Sequence, residues 1–208
     1  MTIGIIQATS QKDKNTLLYS ITKEIAEAKG HKVVNFGVFA DESENYSYVE
    51  TAVCASMLLS TKSVDFIVTG CSSGQGMMLA LNALPAVMCG YCPTAQDAFL
   101  FGRINAGNAI SLPLGLNFGW CGEINLRHTI KALFESDFGT GYPAEDAERK
   151  KKDTALVKAL YASKSPDYSF LPQDLVNRAK SRKIVMDFIE QATFPDVRNS
   201  GDVLKSML

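Results

Sequence analysis

The stretch from Val64 to Asn82, VDFIVTGCSSGQGMMLALN, constrains this chain most, because it reads as strand, small-residue turn and helix in immediate succession. Phe66, Ile67, Val68 and Thr69 form a short β-branched and aromatic run of the kind that fills a strand buried on both faces of a parallel sheet. Gly70 to Gly76 break that run, and Met77 to Leu81 are good helix formers. The glycines and serines therefore fall where the backbone N–H groups of a new helix point into open space, an arrangement that binds anions. Cys71 lies where the strand ends, and a thiol there feels the positive end of the helix dipole, which favours the reactive thiolate.

Three readings of the turn compete. In the plainest, Gly and Ser only let the backbone bend tightly, and Cys71 is a small buried apolar residue. In a second, GCSSG matches the G-x-S-x-G nucleophile elbow and Ser72 is the nucleophile of a serine hydrolase. That enzyme needs a downstream acid and histidine, and the one downstream histidine, His128, sits inside an apparent helix. A phosphate-binding Walker loop is excluded, since Met77 and Met78 follow Gly76 where Lys and Ser/Thr are required. In the third, the thiolate and the amides form a catalytic centre.

The rest of the chain alternates strands with helices. Thr2–Ala8 reads as the first strand, a helix follows through about Ala28, and Lys32–Val38 is the second strand, a βαβ opening that demands a parallel sheet. Tyr48–Thr61 is helical by its apolar spacing, Pro85–Tyr91 is a fourth strand, Thr94–Gly102 a helix and Ala109–Pro113 a fifth strand. A helix within Asn117–Phe134 places Trp120, Ile124, Leu126, Ile130 and Leu133 largely on one side. Gly139 to Pro143 break the chain, a charged helix spans Ala144–Lys164, Ser165–Pro172 reads as a linker, and one further helix covers Gln173–Ala192. The reading is a doubly wound α/β domain, residues 1–143, and a helical C-terminal extension, residues 144–208, packed on the core or on a neighbouring subunit.

A chain of 208 residues, 46% hydrophobic, can bury a sizeable core. A net charge of −1 gives no electrostatic reason to expect nucleic acid or an anionic membrane as partner, so any phosphate site must be local. Five irregularly spaced cysteines without a signal-peptide pattern point to a reducing cytoplasm, and no apolar run is long enough to span a membrane. Cys89 and Cys92 form a lone C-x-x-C; with two histidines in the chain it finds no matching zinc ligands, and structural roles fit it better.

The run C-S-S-G-Q-G followed by a helix carrying Asn82, with N-A-G-N-A-I-S-L further on, resembles the ribose-5-phosphate isomerase B family, which includes the galactose-6-phosphate isomerase subunits. Cys71, Ser73, Gly74, Gly76, Asn82, Asn105 and Asn108 fit its pattern over roughly the first 140 residues. Ser72 replaces a glycine, Ile104 stands where the family has a ring-opening histidine, and Gln7–Ser10 replace an Asp-His pair at the end of the first strand. The resemblance implies a five-stranded sheet in the order 2-1-3-4-5, with the ligand crevice between the first and third strands.

It also implies aldose–ketose isomerisation of a small sugar phosphate, without metal or organic cofactor, in a homodimer or homotetramer. Cys71 would be the base and Ser73 a proton relay. The amides from Ser72 through Gly74 and Gln75 to Gly76 would hold the developing oxyanion, with Tyr46, Asn105 and Arg149 matching family substrate contacts, the arginine tail in a neighbour's pocket. Read from the residues themselves, Thr9 and Ser10 can hydrogen-bond sugar hydroxyls, and Arg103 adds a cation for phosphate or oxyanion. A non-catalytic phosphosugar-binding module of the same fold is the rival reading. Because isoleucine transfers no proton, an acyclic or short sugar phosphate is expected as substrate.

Overall fold

The computed structural model describes residues 1–162 and 167–192. Five parallel strands form its centre: β1 (Thr2–Ile5), β2 (Lys32–Asn35), β3 (Phe66–Cys71), β4 (Cys89–Tyr91) and β5 (Ala109–Pro113). The helices are α1 (Asn15–Glu27), α2 (Tyr48–Ser60), α3 (Gln75–Ala83), α4 (Ala95–Leu100), α5 (Gly122–Leu133), α6 (Ala147–Ala162), α7 (Gln173–Lys180) and α8 (Lys183–Gln191). Every residue of β3 is buried, and alternate side chains feed two cores. Phe66 and Val68 join Ile3, Ile5 and Ile110 under α1 and α5, whereas Ile67 and Cys71 join Met57, Met77 and Leu81 under α2 and α3. No helix among the described residues is long and apolar enough to cross a membrane.

The doubly wound α/β fold holds, with one exchange: the sheet order is β2-β1-β3-β5-β4, not 2-1-3-4-5. The expected fourth strand, Pro85–Tyr91, shrinks to three residues, Cys89–Tyr91, and a strand that short suits the sheet edge. β5, with Ala109, Ile110, Ser111 and Leu112 all buried, takes the inner place beside β3 through pairs from Ile67↔Ala109 to Cys71↔Pro113. The switch point between β1 and β3 is unaffected, because β2 and β3 still flank β1.

Two other expectations change. Trp120 is not on a helical face: α5 starts only at Gly122, after left-handed residues at Asn117, Gly119 and Cys121, and Trp120 is 97% exposed. The C-terminal helix is two helices, because Arg182 leaves helical geometry at ψ 82° to send its side chain back to the loop after β2. Both α7 and α8 pack on α2, burying Val176, Ala179, Val185 and Ile189 in the α2–α3 core. Residues 163–164 of the expected charged helix, 165–166 of the expected linker and 193–208 of the expected extension lie outside the described residues.

Candidate active site

β3 ends on Cys71, which is 7% exposed, and Ser72–Gly74 then turn the chain into α3. Gly74 caps α3 in the left-handed region at φ +76°, where an added Cβ would lie 2.8 Å from both the Leu112 backbone and the Tyr91 ring. Glycine is therefore required on two counts, conformation and space. The segment leaving β5 braces the turn: Leu114 N donates to Cys71 O at 3.0 Å, and Gly115 N and Leu116 N donate to Ser72 O at 3.0 and 2.7 Å. Ser111 Oγ donates to Gly74 O at 2.6 Å. Held this way, the first-turn amides of α3 have no helical partner by geometry, and the side chain of Ser73 accepts from Gln75 N at 3.4 Å.

The end of β1 closes on the same turn. Ala8 N donates to Gly70 O at 3.3 Å, Gln11 Nε2 donates to Ser72 Oγ at 3.1 Å, and Ser72 Oγ lies 3.4 Å from Ser10 Oγ. Thr9, Ser10, Ser72, Ser73, Gly74, Gln75, Gly76 and Cys71 thus belong to one neighbourhood at the carboxyl ends of β1 and β3. Gln11 and Ser111 are additional members of it. Nothing in the sequence marks them, since Gln11 follows two better N-cap residues and Ser111 sits inside a strand. Tyr48 joins them, its ring 3.3 Å from where a Cβ on Gly76 would stand.

The remaining candidates stand elsewhere. Asn105 precedes β5 and Cys71 ends β3, so the two occupy opposite ends of a parallel sheet. Arg103, expected to meet a phosphate or oxyanion, is 3% exposed and donates to Ser136 Oγ and the carbonyls of Ser136 and Asp137. Arg149 is exposed on α6 and pairs with Asp146 at 3.0 Å and Asp153 at 3.3 Å. α6 is anchored beside them by the Thr154 hydroxyl, which donates to Ile104 O. Arg103, Asn105 and Arg149 therefore form a second neighbourhood that one chain does not bring to Cys71.

Tyr46 lies at the border, but its ring is turned away: it is 4% exposed, its hydroxyl donates to Glu44 at 3.0 Å, and the Arg178 and Arg182 guanidinium groups lie over it at 4.2 and 4.6 Å. Asn108 holds strand β4, accepting from Met88 N and donating to Ala86 O. His31 packs near Phe134 at the amino end of β2, and His128 is exposed on α5.

Burial pushes the thiols of Cys54 and Cys92 up to about 12 and that of Cys89 higher still, so these three are held as thiols. Cys89 and Cys92 are buried, one in each core, and among the described residues no group of three His, Cys, Asp or Glu is placed to hold a metal ion. A cleft of about 260 Å³ on the α5 side of β5 touches the turn through Tyr91 and Leu116 but is not lined by Cys71. Cys71, the hydroxyls of Ser72 and Ser73 and the first-turn amides of α3 follow one another along the same turn.

A family model described as Ribose/Galactose Isomerase matches residues 6–150. A solved structure of a 4-deoxy-L-threo-5-hexosulose-uronate ketol-isomerase complexed with a tartrate is 34% identical, with TM-score 0.89, covering 100% of this chain and 99% of that one. A ribose-5-phosphate isomerase from Vibrio parahaemolyticus is 35% identical with TM-score 0.89 and the same coverage. The type B ribose 5-phosphate isomerase of Trypanosoma cruzi, 21% identical with TM-score 0.65, shares the fold over 79% of this chain and 100% of its own. The chain matches no curated protein. With residues 6–150 matched and the turn of Cys71, Ser73, Gly74 and Gly76 at the end of the central strand, this chain belongs to the ribose/galactose isomerase family.

Proposed function

We propose that the protein interconverts an aldose and a ketose whose chain is open and ends in an anionic group, with Cys71 as the base. The observation that carries this reading is the placement of Cys71 at the end of β3, directly before a turn of hydroxyls and first-turn helix amides at the switch point of the sheet. Cys71 as thiolate removes the proton from C2 of the open-chain aldose, the electron pair moves onto the carbonyl, and a cis-enediolate forms. The amides from Ser73 to Met77 hold the oxyanion as it develops, where fixed donors act without reorganisation. Ser73 Oγ carries a proton between O1 and O2, and the Cys71 thiol returns its proton to C1. Thr9, Ser10, Ser72, Gln75 and Gly76 bind the sugar backbone.

The open-chain requirement follows from Ile104, which cannot open a ring, and from Gln7–Ser10 at the end of β1, which supply no acid or imidazole. A 4-deoxy-5-hexosulose, the substrate named for the relative at 34% identity, has no hydroxyl at C4 or C5 to close a ring on C1, and a tetrose 4-phosphate has its O4 blocked. Either fits a site without a ring-opening acid. A second reading, isomerisation of ribose 5-phosphate, is favoured by the name of the Vibrio relative; it requires another group to open the ring.

The terminal anion needs cations that one chain does not offer at Cys71: Lys12 Nζ is engaged by Glu42 O at 2.8 Å and Lys14 by Asp13. Exposed Arg149 and Asn105 of a second copy complete the pocket in this reading, which makes the working unit a homodimer or a larger even assembly. The test is kcat/KM measured on tetrose 4-phosphate, 4-deoxy-5-hexosulose uronate and ribose 5-phosphate. Open-chain substrates should lead. Clear preference for ribose 5-phosphate would overturn the open-chain reading, and ligand binding without proton exchange at C2 would leave a non-catalytic sugar-binding protein.

A further inference from the structure

We infer that Arg182, assisted by Arg178, is a positioning residue for the isomerase site: the two guanidinium groups fix Tyr46, whose backbone sets Thr9 at the carboxyl end of β1. This deepens the proposed reaction and rests on it. The segment from Phe36 to Ser47 has neither strand nor helix, so contacts must define its path. Arg182 supplies them. Although 3% exposed, it donates from Nε and Nη2 to Phe36 O and from Nη1 and Nη2 to the Glu42 carboxylate at 2.8 and 2.9 Å. Arg178 donates to Glu44 at 2.8 Å, Glu50 at 3.0 Å and Asn45 O at 2.6 Å.

The Tyr46 ring is the shared surface under both cations. Its main chain makes a two-way link with the site: Tyr46 N donates to Thr9 Oγ1 at 2.6 Å, and Thr9 N donates to Tyr46 O at 3.0 Å. The next residue, Ser10, lies against Ser72 of the Cys71 turn. A contiguous path therefore runs from α8 to the catalytic turn.

The choice of residue supports a geometric role. A buried ion pair returns little net stability once both charges are desolvated, and an apolar side chain would dock α8 on the sheet at lower cost. What a planar, five-donor fork provides instead is a fixed direction. The consequence is that Tyr46 acts through its backbone and ring, and its hydroxyl, committed to Glu44, does not meet the sugar.

The experiment compares the wild type with Arg182→Met and Glu42→Gln, the second keeping the fold if the first does not. Leu133→Ala serves as a destabilised control, on the opposite face of the sheet. Amide hydrogen exchange at Thr9 and the kinetics of tetrose 4-phosphate isomerisation are read well below each Tm. Both clamp variants should speed exchange at Thr9 at least about ten-fold. They should raise KM about ten-fold with kcat changed less than about three-fold, because the loss falls on sugar binding. Leu133→Ala should lower Tm and move neither.

Thr9→Val combined with Arg182→Met should cost no more than the larger single change, since both break one path. Unaltered exchange at Thr9, or faster exchange with KM unchanged, overturns the inference. A wild type that turns over no sugar removes the proposed reaction instead, and with it the catalytic role of the clamp, while exchange at Thr9 still decides whether Arg182 fixes the loop.

Discussion

The two ends of the sheet treat polar groups in opposite ways. At the carboxyl end, Cys71, Ser72, Ser73 and Gly74 form a turn braced through its carbonyl oxygens by the segment after β5, and the hydroxyls of Ser72 and Ser73 bond only polar groups of the same neighbourhood, Gln11 Nε2, Ser10 Oγ and Gln75 N. At the amino end of β5, Arg103 is spent on Ser136 and Asp137, and Asn108 on Ala86 and Met88, so these side chains stabilise loops. Arg149 differs from both, exposed and paired only with carboxylates three and four residues away, an arrangement of small net worth that a stronger anion can displace. A cation near a site in sequence terms is thus a ligand candidate only if its own chain has not buried it among fixed partners, as it has Arg103.

The largest effect should come from the carboxyl end. Cys71→Ala should lower proton exchange at C2 by at least about 10³-fold while leaving sugar affinity within a few-fold, because the thiol acts on the transition state whereas Thr9, Ser10, Ser72, Gln75 and Gly76 bind the sugar itself. Exchange with solvent deuterium measured by NMR decides this, and retained exchange would remove Cys71 from the mechanism. Thiol labelling as a second readout needs a Cys121→Ser background, since Cys121 is exposed.

Arg103→Met probes the other end. Leaving the Ser136 and Asp137 carbonyls without their buried donor should cost about 3 kcal/mol of stability. A urea midpoint reports the loss, and kcat/KM of the folded protein should stay within a few-fold. A large KM increase with unchanged stability would instead make Arg103 a substrate ligand.

A smaller effect connects the two ends. Chains carrying Cys71→Ala and chains carrying Arg149→Ala, each weakly active alone, should recover about a quarter of wild-type activity when mixed by co-expression. One intact site then forms in each mixed dimer if Arg149 serves a neighbour's pocket. No recovery would confine the site to one chain. Arg149→Ala by itself should leave Tm within about 1 °C, as expected for an exposed ion pair.

The smallest effect is acid sensitivity at the clamp. Burial alone would raise the Glu42 carboxyl, but the Arg182 fork, Phe39 N and the charges of Arg182 and Lys12 together hold it below its ordinary value; Glu44 is lowered by its bonds to Arg178 and Tyr46. Groups with depressed carboxyl pKa values add stability above their unfolded value of about 4.3 and lose it as pH falls through the folded value. The Tm gap between wild type and Arg182→Met should therefore be widest above pH 5 and narrow as pH drops below about 4. A gap that is constant with pH would mean that the clamp works through packing.

The sequence by itself determined the strand–turn–helix of Val64–Asn82, the βαβ opening and the place of Cys71 at a strand end, because each rests on short-range rules: β-branched runs, glycine breaks and helix-forming residues within a few positions. Strand order was not legible, since whether β4 or β5 lies beside β3 depends on how much surface each buries, and both read as short apolar runs. The break at Arg182 was hidden for a related reason: helical periodicity continues across it, and only the distant Phe36 carbonyl and Glu42 carboxylate pull the side chain out of register. Arg103 and Tyr46 carried the right chemistry in the right stretch of sequence. Where their side chains point was decided by partners 33 and 132 residues away, Ser136 and Arg178, and no local pattern encodes a contact of that separation.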